Sequence, residues 1–477
     1  TNFKPDVVRR VLIPKPNGES RPLGIPTIED RLIQQCIKQV LEPICEAKFH
    51  PHSYGFRSNR SVTHAMGRVA ALTNINNLHY CVSIDIKGFF DNIDHGKLLK
   101  QLWTIGIQDK RVISIISKML KAEYDVEGSA LKGTPQGGIL SPLLANVVLN
   151  ELDWWVSNQW ETFETRHDYT LIRKRNGKEF IERSGKYRAL RTSSKMKEMY
   201  IVRYADDFIV TAKDKETIEQ VILPLVRKFL AERGLTLSEE KTKITHINEG
   251  FDFLGFNIRK FRNNTLLTTP SKDAQKRFCE KIRKTIEANK CVKQKSLIMM
   301  LNPIIKGWGN YYKYGTSGEI FHRMDWEIFK KIWQWARRRH PQKCKGWVKD
   351  KYFRTLHGRS WRFAADMGKK DKIDYLELTY LPTIHHEKFV KVRHYANPYD
   401  PSDKSYYEWR ETYRMKQTLK GRQSLINIWK RQNKVCPVCG ERIDRERPWS
   451  ITEQIVSGRK VRTLVHTSCK RKMQSRL

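Results

Sequence analysis

Apolar and polar positions change their rhythm along this chain. From about residue 5 to 265, β-branched runs alternate with helix-like stretches, the clearest runs being VVRRVLIP, YCVSIDIKGFF, MYIVRYADDFIVTA and FDFLGFNI. That alternation predicts a mixed domain of strands and helices. Between residues 271 and 365 the period lengthens: Phe278, Ile282 and Ile286 fall four apart, and Phe321, Met324, Ile328, Ile332 and Trp335 fall three or four apart. Those spacings predict helices with one apolar face. A polar, Tyr- and Pro-rich stretch (HYANPYDPSDKSYYEWRE) follows, then a short tail containing cysteines. The expected class is α+β in four parts, residues 1–265, 266–365, 366–417 and 418–477.

Composition fits a folded chain, with 39% hydrophobic and 10% aromatic residues over 477 positions, enough for several cores. Charge changes the picture more. Ninety Lys and Arg stand against 51 Asp and Glu, a formal charge of +39 that exceeds solubility tuning and implies a polyanionic partner. Trp, Tyr and Phe interleave with the cations throughout, which suits base stacking together with phosphate neutralisation and favours nucleic acid over a membrane surface. The predicted helices show this most densely, with Lys276, Arg277, Lys281, Arg283, Lys284, Lys330, Lys331 and the Arg337-Arg338-Arg339 cluster beside Trp333 and Trp335. No apolar run approaches the ~18 residues of a membrane span, and the opening TNFKPDVVRR has no signal core and no initiator Met, so the natural N-terminus is expected to be incomplete. Nine mostly scattered cysteines point to a reducing, cytoplasmic setting.

Candidate chemistry starts at Tyr204-Ala205-Asp206-Asp207, where β-prone flanks predict two strands meeting at an acidic tip. Adjacent carboxylates repel unless cations neutralise them, and hard oxygen ligands suit Mg²⁺. A turn that simply favours Asp is the alternative. A second acidic strand, YCVSIDI, places Asp85 on a face with Cys81 and Ser83, opposite Val82, Ile84 and Ile86. Asp85, Asp206 and Asp207 could together hold two metal ions about 4 Å apart. Asp91 and Asp94 precede an amphipathic stretch and fit helix capping better. GTPQGGILSPLLANVVL combines a Gly-rich loop with a helix start at Ser141-Pro142, Ser as cap and Pro at the first helical position.

IPKPNGESRPLGIPTIEDR, YGFRSNRS, DIKGFFDNID, GTPQGGILSPLLANVVL, RYADD, GLTLSEEKT and FDFLGFNI occur in the order of reverse-transcriptase sequence blocks. Over residues 10 to 260 the chain resembles group II intron-encoded reverse transcriptases. GWGNYYKY and HGRSWRF resemble that family's thumb, or maturase (X) domain, and NPYDPSDKSYYEWRE its DNA-binding region. The resemblance implies a right-hand polymerase fold, fingers and palm, followed by a helical thumb, a small DNA-binding region and a zinc module. It makes Asp85, Asp206 and Asp207 ligands of two Mg²⁺ ions, and Phe90 the aromatic that blocks a 2′-hydroxyl. Lys15 and Arg21, flanking an Asn17-Gly18 turn, are implied to meet the incoming triphosphate, with Gln136 beside nucleotide and template and Lys241 assisting pyrophosphate departure. Leu254, Gly255 and Phe256 resemble the primer grip. Arg203 is basic and close to the chemistry, but a strand-face residue can point either way. Implied partners are group II intron RNA in a ribonucleoprotein, target DNA and deoxynucleoside triphosphates. A non-catalytic RNA-binding maturase and a stand-alone retron-like enzyme are the alternatives.

In the tail, Cys436-Pro-Val-Cys439 and His466-Thr-Ser-Cys469 are 26 residues apart and have the spacing of a tetrahedral zinc site. The tail resembles an HNH nuclease domain, but Thr452 and Glu453 stand where that family has a histidine pair, and Lys470 replaces its last histidine. General base and catalytic metal ligand are both missing, so a folded zinc module that helps hold DNA but cuts poorly or not at all is expected.

Overall fold

The computed structural model describes residues 3–14, 18, 20–74, 78–125, 128–129, 132–163, 170–175, 178–183, 189–191, 193–367, 375–387, 389–419, 422–444, 447–456 and 459–474. Two compact units divide the chain, Thr1–His394 and Tyr395–Leu477.

The first unit is built around a four-stranded antiparallel sheet. Its strands lie in the order Lys243–His246, Tyr80–Ile84, Asp207–Ala212, Met199–Tyr204. One face carries Val82, Ile84, Ile201, Phe208 and Val210 into a core with Leu98, Leu102, Ile116, Leu149 and Phe229 from the surrounding helices. The other face presents Cys81, Val202 and Ile209 to Val69 and Leu72 of the Val62–Asn74 helix and to Phe251, Phe253 and Phe256. Burial on both faces explains why the Tyr80–Ile84, Asp207–Ala212 and Met199–Tyr204 strands are largely apolar in sequence. Each such fully buried Leu, Ile or Phe stabilises the fold by roughly 1.5–3 kcal/mol.

The N-terminal hairpin pairs Arg9–Pro14 with Ser20–Ile25, and Ile13 lies opposite Arg21. Lys15 and Asn17 of the expected turn lie outside the described residues, while Gly18 has the left-handed φ of 86° that such a turn needs. The helical period between 271 and 365 is realised as Lys272–Ala288, Gln294–Tyr312 and Gly318–Arg338, with Phe278, Ile282, Ile286, Phe321, Met324, Ile328, Ile332 and Trp335 all buried. A hairpin, Phe353–Leu356 with Arg359–Asp366, extends this layer.

The expected boundary at 265/266 falls inside a three-stranded sheet, because Phe256–Lys260 pairs with Leu266–Pro270. Those at 365/366 and 417/418 fall inside the Arg359–Asp366 strand and the Lys404–Thr418 helix. Hydrogen-bonded pairing ties together residues that composition alone would separate. The second unit packs Lys404–Thr418 and Gln423–Arg431 around the fully buried Trp429, whose Nε1 donates to the Ile443 carbonyl at 2.8 Å, and adds the antiparallel hairpin Trp449–Val456/Arg459–His466 and the helix Thr467–Gln474.

Candidate active site

Tyr204 pairs with Asp207, leaving Ala205 and Asp206 as a two-residue turn at the end of the central hairpin. Ala205 takes φ 60°, a left-handed conformation that costs a non-glycine residue about 1–2 kcal/mol. The surroundings impose it. Arg203 turns into the core rather than the cleft: its Nη1 donates to the Ala205 carbonyl at 2.8 Å and to Asn146 Oδ1 at 2.9 Å, and its Nε and Nη2 grip both oxygens of Asp153 at 2.7–2.9 Å. Arg203 and Asp153 side chains are both 0% exposed. A hydrogen bond from a charged donor is worth about 1.5–3 kcal/mol, enough to hold the strained turn.

From the other side, the His52–Tyr54 segment runs along the strand edge, with Arg203 N donating to the His52 carbonyl at 3.1 Å and Tyr54 N to the Arg203 carbonyl at 2.9 Å. Gly55 follows, and a Cβ there would lie 2.2 Å from Ala205 N. Only glycine allows this approach. Asn146 Nδ2 donates to the Gly55 carbonyl at 2.9 Å, so one amide ties both sides of the turn to the Ser141–Asn158 helix.

Asp85 extends one residue past the Tyr80–Ile84 strand, and since Ile84 pairs with Phe208, it sits opposite Asp207. Its backbone carbonyl accepts from Ser238 N at 2.8 Å, and Lys241 Nζ donates to its Oδ2 at 2.9 Å. Asp85, Asp207 and Lys241, predicted from separate segments, therefore meet at one place, with Asp206 on the same tip. Burial, then the charges of Asp206 and Asp85, push the Asp207 carboxyl up to about 6, against the pull of Lys241.

Phe90 lies in a single helical turn, Phe89–Asn92, after Gly88 at φ 55°. It is 8% exposed, with the Phe89 ring 5.4 Å away edge-on, and its carbonyl accepts from Thr134 N at 2.8 Å, so it abuts the Gly-rich loop. Gln136 reaches Asp91 Oδ1 at 3.4 Å, and a Cβ on Gly137 would lie 2.2 Å from the Gly24 carbonyl, which brings the loop against the N-terminal hairpin. Asp94 caps the His95–Ile105 helix through Lys97 N, whereas Asp91 is inside a helical turn and caps nothing. Ser141 is not the expected cap. Leu140 occupies that position, Ser141 Oγ donates to the Pro135 carbonyl at 2.7 Å, and Gln34 Oε1 accepts from Ile139 N at 2.7 Å at the helix entrance. The Ser hydroxyl is worth more closing the Gly-rich loop than capping a helix whose entrance Gln34 already serves.

Leu254 and Gly255 join Phe253 to Phe256 in a turn with φ 50° and 77°, both positive as a tight hairpin requires. Tyr311 Oη donates to the Leu254 carbonyl at 2.9 Å, and the Phe256 ring stacks 5.6 Å from that of Tyr311. Tyr311, which holds the Leu254 carbonyl, also lies close enough to Tyr204 for the two phenols to interact, so this turn is a neighbour of the acidic tip.

In the second unit, Cys436, Cys439, His466 and Cys469 bring their ligand atoms within 4.8 Å of one another. His466 Nε2 donates to the Arg442 carbonyl at 3.2 Å, which leaves Nδ1 facing the sulfurs, 3.4 Å from Cys439 Sγ. Burial opposes ionisation of Cys436, yet backbone N–H groups of His466, Val438 and Cys439 hold its thiol down at about 7. Three sulfurs and one imidazole nitrogen fit a tetrahedral zinc ion. Thr452 and Glu453 lie in the adjoining hairpin, and Lys470 Nζ donates to the Ile451 carbonyl.

Asp153, Asn146 and Gly55 were not candidates from the sequence. The signal for Asn146 and Asp153 is a polar stripe, Asn146, Asn150, Asp153 and Ser157, at helical spacing in a largely apolar helix, all four buried.

A family profile for reverse transcriptase (RNA-dependent DNA polymerase) matches residues 13–258, and one for the group II intron maturase-specific domain matches residues 275–353. Protein YkfC of Escherichia coli K12 is 36% identical over 270 residues, 55% of this chain and 69% of that protein. The group II intron-encoded protein LtrA of Lactococcus lactis subsp. cremoris is 37% identical over 294 residues, 55% of this chain and 49% of LtrA, so the match spans about half of LtrA's length. A solved structure of apo telomerase from Candida tropicalis aligns over 71% of this chain and 57% of that one, with 12% identity and a TM-score of 0.41.

Proposed function

The chain belongs to the reverse transcriptase (RNA-dependent DNA polymerase) family, with a group II intron maturase-specific domain behind its polymerase part, and from that premise we propose that it copies RNA into DNA at the Asp85, Asp206 and Asp207 site. The observation that carries the reading is the register that sets Asp85 opposite Asp207 beside the turn holding Asp206. A carboxyl pushed up to about 6 by burial and by two like charges is a site that gains from a divalent cation. Bound there, two Mg²⁺ ions would lower the pKa of a primer 3′-hydroxyl and offset the charge of the departing pyrophosphate.

The chain's own residues supply the rest. Lys241, already a donor to Asp85, holds a positive charge where the triphosphate's negative charge must sit. Phe90, locked between Phe89 and the Gly133-Thr134 backbone, offers a rigid wall to the sugar and selects deoxynucleotides. Gln136 lies on a loop braced against the N-terminal hairpin, and the family resemblance gives Lys15 and Arg21 of that segment to the incoming triphosphate. The Leu254–Phe256 turn orients the primer end. Group II intron RNA and target DNA are the expected nucleic-acid partners, with the protein acting also as a maturase in splicing. The second unit holds Zn²⁺ through Cys436, Cys439, His466 and Cys469 and helps to grip DNA without cutting it.

Primer extension on an RNA template tests the reading. The unaltered protein extends the primer in Mg²⁺, and Asp206→Ala loses at least about a hundredfold in rate, since metal charge stabilisation is worth several kcal/mol. Absence of extension by the unaltered protein would refute it. Splicing of the intron by Asp206→Ala is expected to persist, because RNA folding uses the basic surface and not the metal ligands.

A further inference from the structure

We propose that Trp326, Phe329 and Trp361, on the outer face of the helical layer, form a stacking platform for unpaired bases of an RNA strand. The inference rests on the reading that this chain handles RNA and adds a second contact surface away from the carboxylates. Trp361 lies within the Arg359–Asp366 strand yet has φ 63°, opposite a register irregularity between Arg354 and Leu356. A bulky residue held in the left-handed region is strained, and such strain persists where the surroundings or a function require it. Burial does not account for it. Trp361 remains 39% exposed, propped edge-on by Trp333 at 5.4 Å and Phe329 at 6.0 Å, with the Phe353 ring tilted against it at 5.6 Å.

Trp326 is 57% exposed and lies flat on Phe329, the ring centres 5.2 Å apart and the planes 16° from parallel. Phe329 thus supports one exposed indole by its face and touches the other at its edge. Lys349 Nζ sits over the Trp361 ring, 5.2 Å from its centre, which leaves the opposite face for a base, and Lys330 is exposed one residue beyond Phe329, hydrogen-bonded to Glu327. Residues 318–366 carry 13 Lys and Arg against 5 Asp and Glu. Flat rings within a cationic surface match a single strand, whose bases expose their faces while its phosphates meet the cations. An A-form duplex keeps its bases stacked inside and has nothing to offer the rings.

The test uses the full chain and a 4-thiouridine-containing single-stranded RNA oligonucleotide, photocrosslinked over a concentration series, with adduct peptides mapped by mass spectrometry. Adducts are expected on the peptides containing Trp326 and Trp361. In Trp326→Ala and Trp361→Gly, half-maximal labelling of the platform moves to roughly five- to hundredfold higher RNA. Trp361→Phe recovers most of the labelling. Glycine suits the positive φ at 361 and Trp326 is solvent-facing on a helix, so both variants keep the fold, which circular dichroism checks. No adduct at either peptide, or equal labelling by a blunt RNA duplex of the same length, overturns the proposal. Primer extension by the unaltered protein is read alongside: its failure counts against the polymerase reading alone, while the crosslink map decides the platform.

Discussion

Asp207 shows at the scale of one residue how a reactive arrangement opposes stability. Its carboxyl is raised from 3.8 to about 6 first by burial and then by Asp206 and Asp85, so the folded state disfavours its ionised form. For an acid raised in this direction, the destabilisation is absent below the unfolded value near 4, grows as pH rises towards 6, and is complete above it. Asp207→Asn, with divalent cations chelated, is therefore expected to raise the melting temperature at pH 7 and to leave it unchanged near pH 3.5, while ending primer extension. A thermal melt at the two pH values checks this. Arg203 makes the opposite case. Asp153→Ala leaves a guanidinium buried without its carboxylate and is expected to cost about 3–5 kcal/mol in a urea melt. Replacing both partners, Arg203→Met with Asp153→Leu, should recover much of that stability but not extension, because the Ala205 carbonyl still lacks its donor. Recovery of both would show that the pair has no part in shaping the tip.

At the scale of elements, the strands, the thumb helices and the acidic tip were legible in the sequence because their apolar periods are long and regular. The direction of Arg203 was not, since in a sheet buried on both faces alternation does not separate cleft from core. Ser141 followed the ordinary preference for a hydroxyl at a helix start, but Gln34, over a hundred residues away in sequence, already served that entrance, a long-range contact that no local pattern reports. Similarly, YGFRSNR gave no hint that its glycine lies against the Tyr-Ala-Asp-Asp turn. Gly55→Ala is expected to destabilise by at least about 1–3 kcal/mol, since the added carbon meets backbone rather than a yielding side chain. Extension should fall further than stability predicts, as measured by rate per folded molecule. Gly106→Ala is the contrasting variant: its φ of 117° strains any side chain, but nothing crowds the position, so stability drops without a specific loss of rate.

At the scale of the molecule, the chain divides into two compact units, Thr1–His394 and Tyr395–Leu477. With zinc bound as proposed, Cys436, Cys439, His466 and Cys469 would tie together the small unit, whose described buried core is a short list around Trp429. Removing zinc by chelation, or Cys436→Ser, is expected to make the segment after Tyr395 sensitive to protease and to lower its unfolding temperature, while extension by the first unit on a short template persists. Limited proteolysis with and without restored zinc checks this. A first unit that unfolded along with the second would overturn that independence. Within the first unit, the tip is clamped by Arg203 and Asn146 from the helix side and by Gly55 from the loop side. A reaction centre fastened in this way cannot travel with its product. In the proposed copying reaction each added nucleotide would then be drawn past a stationary anvil, with the nucleic acid moving over the protein.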